Sequence, residues 1–407
     1  MQVSEEQLGL FLKKHEKELS SKLDRSNIKA RILPCNEEGL KKAGELIREG
    51  KLVSFPTETV YGLAANAFDE TAVRKIFETK RRPLSDPVIV HITDIEKALE
   101  FVDINKDTEE LFRFLAGRFW PGPFTCVLKA NLNKIPEVVT ASTGYVGVRH
   151  PNNKIAQDFI NSSQRPIAAP SANLFSHVSP TSPVHVFNDF YDKDVSIIDG
   201  GFCDFGIEST VVKIFNDADN KLKLLILRVG SLSEKAIKET LATSEKFQNI
   251  PVEKFKKEAY IHEATNSEAP GMLLKHYSPY VETFLLDPCT EAPSDAKELD
   301  IDTKSSILID FANTLKEKAN DFLFYYTLSE SGDMREAMGK LYNILRAAEN
   351  IEGAKSIFIL NLTTYYEKYS QQGGELPEFL ETVYDKSFRS ASGKKVHFDT
   401  KSNKFFL

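Results

Sequence analysis

The chain has 407 residues, 41% hydrophobic and 27% charged, with a net charge of −7 and an isoelectric point near 5.8. That length accommodates two or three domains with their own cores. The acidic balance argues against a global affinity for nucleic acid, although a local basic cavity is compatible with it. The four cysteines, Cys35, Cys126, Cys203 and Cys289, form no CxxC pair, which points away from a zinc site or a disulfide framework and fits a reducing, cytoplasmic setting. The N-terminal stretch mixes acids and bases unlike a targeting peptide, and no run of eighteen apolar residues predicts a membrane span.

Residues 4–24 read as a charged helix with a thin apolar stripe (Leu8, Leu10, Phe11, Leu23), part of a peripheral extension over 1–29. KKAGELIREG reads as a helix closed by Gly50. KLVSF reads as a strand, 70–80 as a helix, and PVIVHI (87–92) as a strand. Asp94 is placed to cap IEKALEFV. PFTCVLKA, YVGVRH, RPIAA, VSIID, STVVKI and KLLILRV are six further strand candidates, several continuously apolar and therefore interior. SLSEKAIKETLA opens on a capping box from Ser231 to Glu234, and the first domain closes near 245. Residues 246–280 have few periodic apolar positions, a long connection of the kind that is functional or disordered. From 281, VETFLL, SSILIDF, FLFYYTL, the helix GDMREAMGKLYNILRAAEN, SIFILNL, a helix around 379–390 and KKVHF predict a parallel, Rossmann-like sheet. No GxGxxG follows its first strand, so no dinucleotide site is signalled.

SFPTETVYGL (54–63) sets Thr57, Glu58, Thr59 and Tyr61 directly after an apolar strand. That is the edge where α/β proteins bind ligands, although the same residues make ordinary turns. TKRRPLSDPVIVH (79–91) puts Lys80, Arg81 and Arg82 at a helix end stopped by Pro83. These cations either complement the helix dipole or form a phosphate grip. His91 ends a strand, a position more often structural than catalytic. Arg149 ends VGVRHP, where a guanidinium calls for an anion from the protein or from a ligand. APSAN (169–173), with Ser171 and Asn173, then Ser179, Pro180 and Thr181, presents hydroxyls and backbone N–H groups after a strand, as an anion nest does. GIEST and LRVG add Glu208, Ser209, Thr210 and Arg228. The sequence shows no P-loop, no metal-ligand spacing and no Ser–His–Asp order. Polar groups recurring at strand ends point to a binding cavity for an anionic ligand rather than to covalent catalysis.

In order and spacing, SFPTETVYGLAANA, KRRP…PVIVHI, WPGPFTCVL, VGVRHP, PIAAPSANLFSHVSPT, IIDGG, GIESTVV and ILRVG resemble the YrdC-like domain over about residues 35–230. Lys80-x-Arg82 with Ser171-x-Asn173 resembles that family's KxR…SxN signature. APGMLLKHYSPY followed by an α/β module is similar to the two-domain threonylcarbamoyl-AMP synthases.

The resemblance implies a YrdC-like twisted open α/β sheet with a concave basic cavity (30–245), a linker that folds over it as a lid (246–280), and a smaller Rossmann-like α/β domain (281–407). It implies a nucleotidyltransferase that makes L-threonylcarbamoyl-adenylate from L-threonine, bicarbonate or CO2 and ATP. Pyrophosphate is released, and the product passes to a complex that forms threonylcarbamoyladenosine in tRNA. Thr57, His91, Arg149, Ala169 and Ser209 would hold threonine. Lys80, Leu84, Tyr145, Ser171, Asn173, Ser179, Arg228 and Tyr277 would hold ATP, with Lys80 and Arg82 gripping the triphosphate as the catalytic pair. Mg2+ would ride on phosphate oxygens without a protein cage. Lys275, His276 and Tyr277 give the linker its cationic and aromatic character.

Weak tRNA binding is compatible with the enzyme reading. The alternative is an RNA-binding module of the same fold without catalysis; the net charge and the lack of an RRM-type aromatic signature weigh against it. Carbamoyl transfer, performed by related domains in hydrogenase maturation, comes with zinc-finger and acylphosphatase-like parts that this sequence does not show. Where the family run reads YGLGANA, this chain has Ala64, a strained residue if its φ is positive.

Overall fold

Short apolar runs between polar turns become strands, and helices cover both faces of the sheet they form. The computed structural model describes residues 2–20, 23–255, 276–291, 293, 296–363, 366–367 and 376–407. The chain divides into two units, Met1–Phe175 with Ser179–Leu273, and Leu274–Leu407 with Ser176–Val178.

The first unit contains β1 (Arg31–Pro34), β2 (Leu52–Phe55), β3 (Gly62–Asn66), β4 (Ile89–His91), β5 (Phe124–Lys129), β6 (Tyr145–Arg149), β7 (Ile167–Ala168), β8 (Val195–Asp199), β9 (Thr210–Asn216), β10 (Leu222–Arg228) and β11 (Val252–Lys254). They form one mixed sheet in the order β1-β8-β2-β3-β7-β4-β6-β5-β9-β10-β11. The six strand candidates from PFTCVLKA to KLLILRV are all present. β3 was not anticipated: GLAAN has no apolar alternation, and it becomes a strand by pairing antiparallel with β2 and β7. β11 lies inside the stretch read as a connection and pairs parallel with β10 through Leu224 and Val252. Ala64 is buried within β3 opposite Val53 and has no positive φ, so it is unstrained.

Local chemistry sets the helix ends. Helix Glu37–Arg48 is capped by Asn36, whose side chain accepts from Gly39 N at 2.9 Å. Helix Glu70–Lys80 is capped by Asp69 and ends on Arg81 in the left-handed conformation, φ 55°. Asp94 caps as expected, accepting from Glu96 N at 3.0 Å, but the helix covers only Ile95–Leu99; Phe101 and Val102 leave it to fill the core. The cap of helix Glu234–Ala242 is Ser233, which accepts from Ala236 N at 3.2 Å, and not Ser231. Ser231 instead donates to Ile207 O (2.9 Å) and Glu208 O (3.1 Å), fastening the segment before β9. At the N-terminus, helix Gln2–Lys14 is shorter than the 4–24 expected and docks through buried Phe11, 5.3 Å from the Phe187 ring.

In the second unit, β12 (Glu282–Cys289), β13 (Glu298–Leu299), β14 (Ser306–Asp310), β15 (Phe324–Thr327), β16 (Ser356–Leu360), β17 (Lys395–Asp399) and β18 (Lys404–Phe406) form a sheet in the order β13-β18-β17-β12-β16-β14-β15. The run from β17 to β15 is parallel, as the alternation predicted, while β18 and β13 add an antiparallel edge. Buried Arg389 and Lys386 stand over the Tyr277 ring at 4.8 and 5.0 Å, and both lie within 4 Å of Asp385.

Helix Glu37–Arg48 packs on helix Lys154–Ser163 through Gly44, where a Cβ would lie 2.6 Å from the Ser162 backbone. Gly44→Ala must push the helices apart, an overpacking cost of about 1–3 kcal/mol. Urea unfolding will show it as a lowered midpoint at unchanged slope; an unchanged midpoint would mean that the two helices separate freely.

Candidate active site

Pro56 ends β2, and Thr57 folds the chain into a tight turn. Its Oγ1 accepts from Thr59 N (3.1 Å) and Val60 N (3.2 Å), donates to Val60 O (2.7 Å), and lies 2.8 Å from Thr59 Oγ1. That hydroxyl is therefore already engaged in shaping the turn. Glu58 sits within it, 1% exposed, its carbonyl accepting from Phe205 N at 2.8 Å. Tyr61 N donates to Pro180 O (2.9 Å), Tyr61 Oη to Gly201 O (2.8 Å), and Cys203 N to Thr181 O (2.9 Å). The segments 57–61, 180–181 and 200–205 are thus laced into one wall.

The parallel register of β4 and β6 places His91 beside Arg149 at their carboxyl ends. Arg149 is 4% exposed; its Nε lies 3.4 Å from Gly122 O and its Nη2 lies 2.8 Å from Glu58 Oε1. The contact is an ion pair without a hydrogen bond, and Arg149 Nη2, both Glu58 oxygens and His91 Nδ1 all lack hydrogen-bond partners. Burial, and then the Arg149 charge, push the His91 pKa down to about 3, so its ring is neutral. An unsatisfied buried polar group costs about 1–3 kcal/mol, more if charged, and folded proteins hold few of them. A cation, an anion and a neutral imidazole left incomplete side by side suit a ligand that carries both charges.

Ser209 stands just before β9. Its Oγ pairs with Thr125 Oγ1 at 2.7 Å, and Arg228 grips it through its carbonyl (Nε 3.2 Å, Nη2 3.0 Å) and hydroxyl (3.2 Å). Ser179 Oγ donates to Glu208 Oε1 at 2.5 Å. Gly230 permits this closeness: a Cβ there would lie 2.3 Å from Glu208 O. Ala169 commits its N–H to Ile89 O at 2.8 Å and can offer a ligand its carbonyl.

Lys80 and the Ser171–Asn173 loop come together as one unit. The Lys80 ammonium, 1% exposed, donates to Ser171 O (2.7 Å) and to Asn173 O, and Ser171 Oγ donates to Asn173 Oδ1 at 2.5 Å. Arg82 donates to the carbonyls of Asp86 (3.0 Å) and Pro87 (2.7 Å) and pairs with Asp86 Oδ2 at 2.9 Å.

Leu84, Tyr145 and Tyr277 occupy other positions. Leu84 is 49% exposed. Tyr145, half-buried under Lys213 Nζ at 3.7 Å, occupies the end of β6 opposite Arg149, about 13 Å away at strand rise. Tyr277 lies in the second unit, buried and stacked on Tyr342 at 5.3 Å. Most of the expected lid, Lys275 included, falls outside the described residues. Three residues given no role from sequence contact these groups: Glu58 and Glu208, which the strand-end motifs named without a task, and Thr125, which they did not single out. The signal for Glu58 was a carboxylate between two threonines in a turn; Thr125 was hidden inside an apolar strand. Among the described residues no three His, Cys, Asp or Glu gather as a metal cluster, and no helix is long and apolar enough to cross a membrane.

A mixed sheet of this kind, followed by a mainly parallel α/β module, has the architecture of a two-domain YrdC-like protein. The family described as "Telomere recombination" (Sua5, YciO, YrdC) matches residues 45–230, and the threonylcarbamoyl-AMP synthase C-terminal domain family matches 232–373. Threonylcarbamoyl-AMP synthase of Pyrococcus abyssi (strain GE5 / Orsay) is 42% identical over 267 residues, 64% of this chain and 71% of that protein. The Bacillus subtilis (strain 168) protein of the same name is 36% identical over 267 residues, 66% of this chain and 71% of its own. The crystal structure of P. abyssi Sua5 complexed with L-threonine superposes with a TM-score of 0.72 at 31% identity, covering 90% of this chain and 99% of that one. The chain belongs to the threonylcarbamoyl-AMP synthase family.

Because His91 is neutral when folded and has an ordinary imidazole pKa near 6.5 when unfolded, the unfolded state binds the extra proton between about pH 6.5 and 3. Its contribution to stability is present above pH 6.5 and falls away as the pH drops toward 3. Between pH 7 and pH 5 this group alone removes about 2 kcal/mol. Denaturant titrations at the two pH values should show a smaller loss in His91→Asn than in the parent chain; equal losses would show that another group drives the acid sensitivity.

Proposed function

We propose that this chain is the nucleotidyltransferase that makes L-threonylcarbamoyl-adenylate from L-threonine, bicarbonate and ATP, releases pyrophosphate, and delivers the adenylate to a tRNA-modifying complex in the cytoplasm. The observation that supports this best is the incomplete trio of Arg149, Glu58 and His91. It matches a zwitterionic amino acid, and the threonine-bound relative has the same fold. Arg149 takes the substrate carboxylate as a guanidinium fork. Neutral His91, through Nδ1, accepts a hydrogen bond from the substrate hydroxyl. A site completed by that hydroxyl rejects analogues lacking it by large factors. Ser209, held by Thr125 and Arg228, and the Ala169 carbonyl border the same subsite.

Lys80, Arg82, Ser171, Asn173, Ser179 and Arg228 form the nucleotide side. The carbamate oxygen attacks the α-phosphorus, and pyrophosphate leaves. Such substitution needs alignment and charge neutralisation more than a covalent partner, which accords with the lack of an activated nucleophile among these residues. The described residues offer no carboxylate cage for Mg2+. A magnesium ion would be carried by the triphosphate and water.

Pyrophosphate release is expected only when threonine, bicarbonate and ATP are all present; release that ignores threonine would overturn the assignment. Arg149→Ala should raise the threonine KM by at least about 30-fold, the scale of truncating a buried charge partner. Lys80→Ala should impair ATP use and leave the threonine KM within a few-fold, because Lys80 touches the Ser171–Asn173 loop. Steady-state kinetics with each substrate varied in turn separates the two.

A further inference from the structure

We infer that Glu58 receives the ammonium group of the amino-acid substrate and takes a proton from it, so that the amine becomes the nucleophile of the carboxylation step. The inference rests on the functional reading above and deepens it.

Glu58 is 1% exposed, and neither of its oxygens has a hydrogen-bond partner. The turn closed by Thr57 and the Phe205–Glu58 backbone bond fix its main chain. Among the described residues its ion-pair partner is Arg149, at 2.8 Å. An α-amino acid carries its carboxylate and ammonium on the same carbon. A guanidinium and a carboxylate set side by side, each with unused hydrogen-bonding capacity, therefore meet both ends of one ligand.

The other groups near Glu58 are poor bases. His91 is held neutral by burial and by Arg149. Burial likewise disfavours a charge on His150. The Cys203 thiol is pushed up by burial and stays protonated. Asp204 is exposed to solvent. Glu58 is the buried carboxylate of the group.

The step balances with bicarbonate as co-reactant. One proton passes from the ammonium to a Glu58 oxygen. The freed lone pair forms the N–C bond to the bicarbonate carbon. The C–OH bond breaks, and the departing hydroxide takes a second amine proton and leaves as water. The carbamate anion remains, and Glu58 returns its proton to solvent after turnover.

The test compares the parent chain with Glu58→Gln and Glu58→Asp. Calorimetry is run with L-threonine and with 3-hydroxybutanoate, which lacks the amine, and pyrophosphate release is measured from pH 6.5 to 9.5. Glu58→Gln should lose at least about tenfold in threonine affinity, the scale of a hydrogen bond to a charged group, while binding 3-hydroxybutanoate as the parent does. Its kcat should fall by about 100-fold near pH 7, the lower range for general-base catalysis, and recover toward the parent as rising pH frees the amine without help. Glu58→Asp should retain part of the rate. A Gln variant with the parent's rate at pH 7, or one equally impaired for both ligands at every pH, overturns the inference. A parent chain that binds threonine but never releases pyrophosphate overturns the functional reading instead, and the two ligands still decide whether Glu58 meets an ammonium.

Discussion

The site depends on the contact between Glu58 and Arg149, two opposite charges buried against each other with no hydrogen bond between them. Burying either charge alone would be prohibitive, and together they offset much of the cost. What the pair leaves unmet is hydrogen-bonding capacity, which a ligand carrying both charges would supply. The surrounding structure serves to keep the two groups at this separation. β6 delivers Arg149 at its carboxyl end, the Thr57 turn delivers Glu58, and the 200–205 segment clasps the turn from outside.

His91 shows how one charge sets the state of the next. A protonated imidazole beside Arg149 would place two cations together against Glu58. Burial and Arg149 act in the same direction and keep the ring neutral. The trio then carries one positive charge, one negative charge and one uncharged ring, which is the complement of a zwitterion with a hydroxyl. Had His91 been exposed at the end of β4, it would have titrated near neutrality.

Much of this was legible in sequence, for reasons that differ between elements. Continuously apolar runs such as FTCVLK and TVVKIF made interior strands because nothing in them competes with burial. The parallel core of the second unit followed from the same signal alternating with amphipathic helices. GLAAN was not legible as β3, since small residues carry no period and its pairing partners lie on β2 and on β7, about a hundred residues further along the chain. The cap of helix Glu234–Ala242 was misplaced by two residues because Ser231 and Ser233 both precede a helical pattern, and only the fold shows that Ser231 is needed by Ile207 and Glu208. In the site, motifs identified residue types but not their partners. Glu58 lay in the quoted run, yet sequence gave no sign that it faces Arg149, 91 positions later.

Under the proposed assignment, the Lys80 and Arg82 contacts refine what a phosphate grip would mean here. A lysine whose ammonium simply reached into solvent would have to be ordered when nucleotide arrives, at the cost of its rotamer entropy. Lys80 is ordered already, its ammonium tied to the carbonyls of Ser171 and Asn173, and Arg82 is held by Asp86 and Pro87. The cations therefore act on the site in two ways, through their field and through the loops they fasten. Removing Lys80 would loosen the very loop that presents Ser171 and Asn173. If these residues meet the nucleotide as proposed, charge and shape there are one construction, and that coupling would serve a reaction that demands alignment over covalent participation.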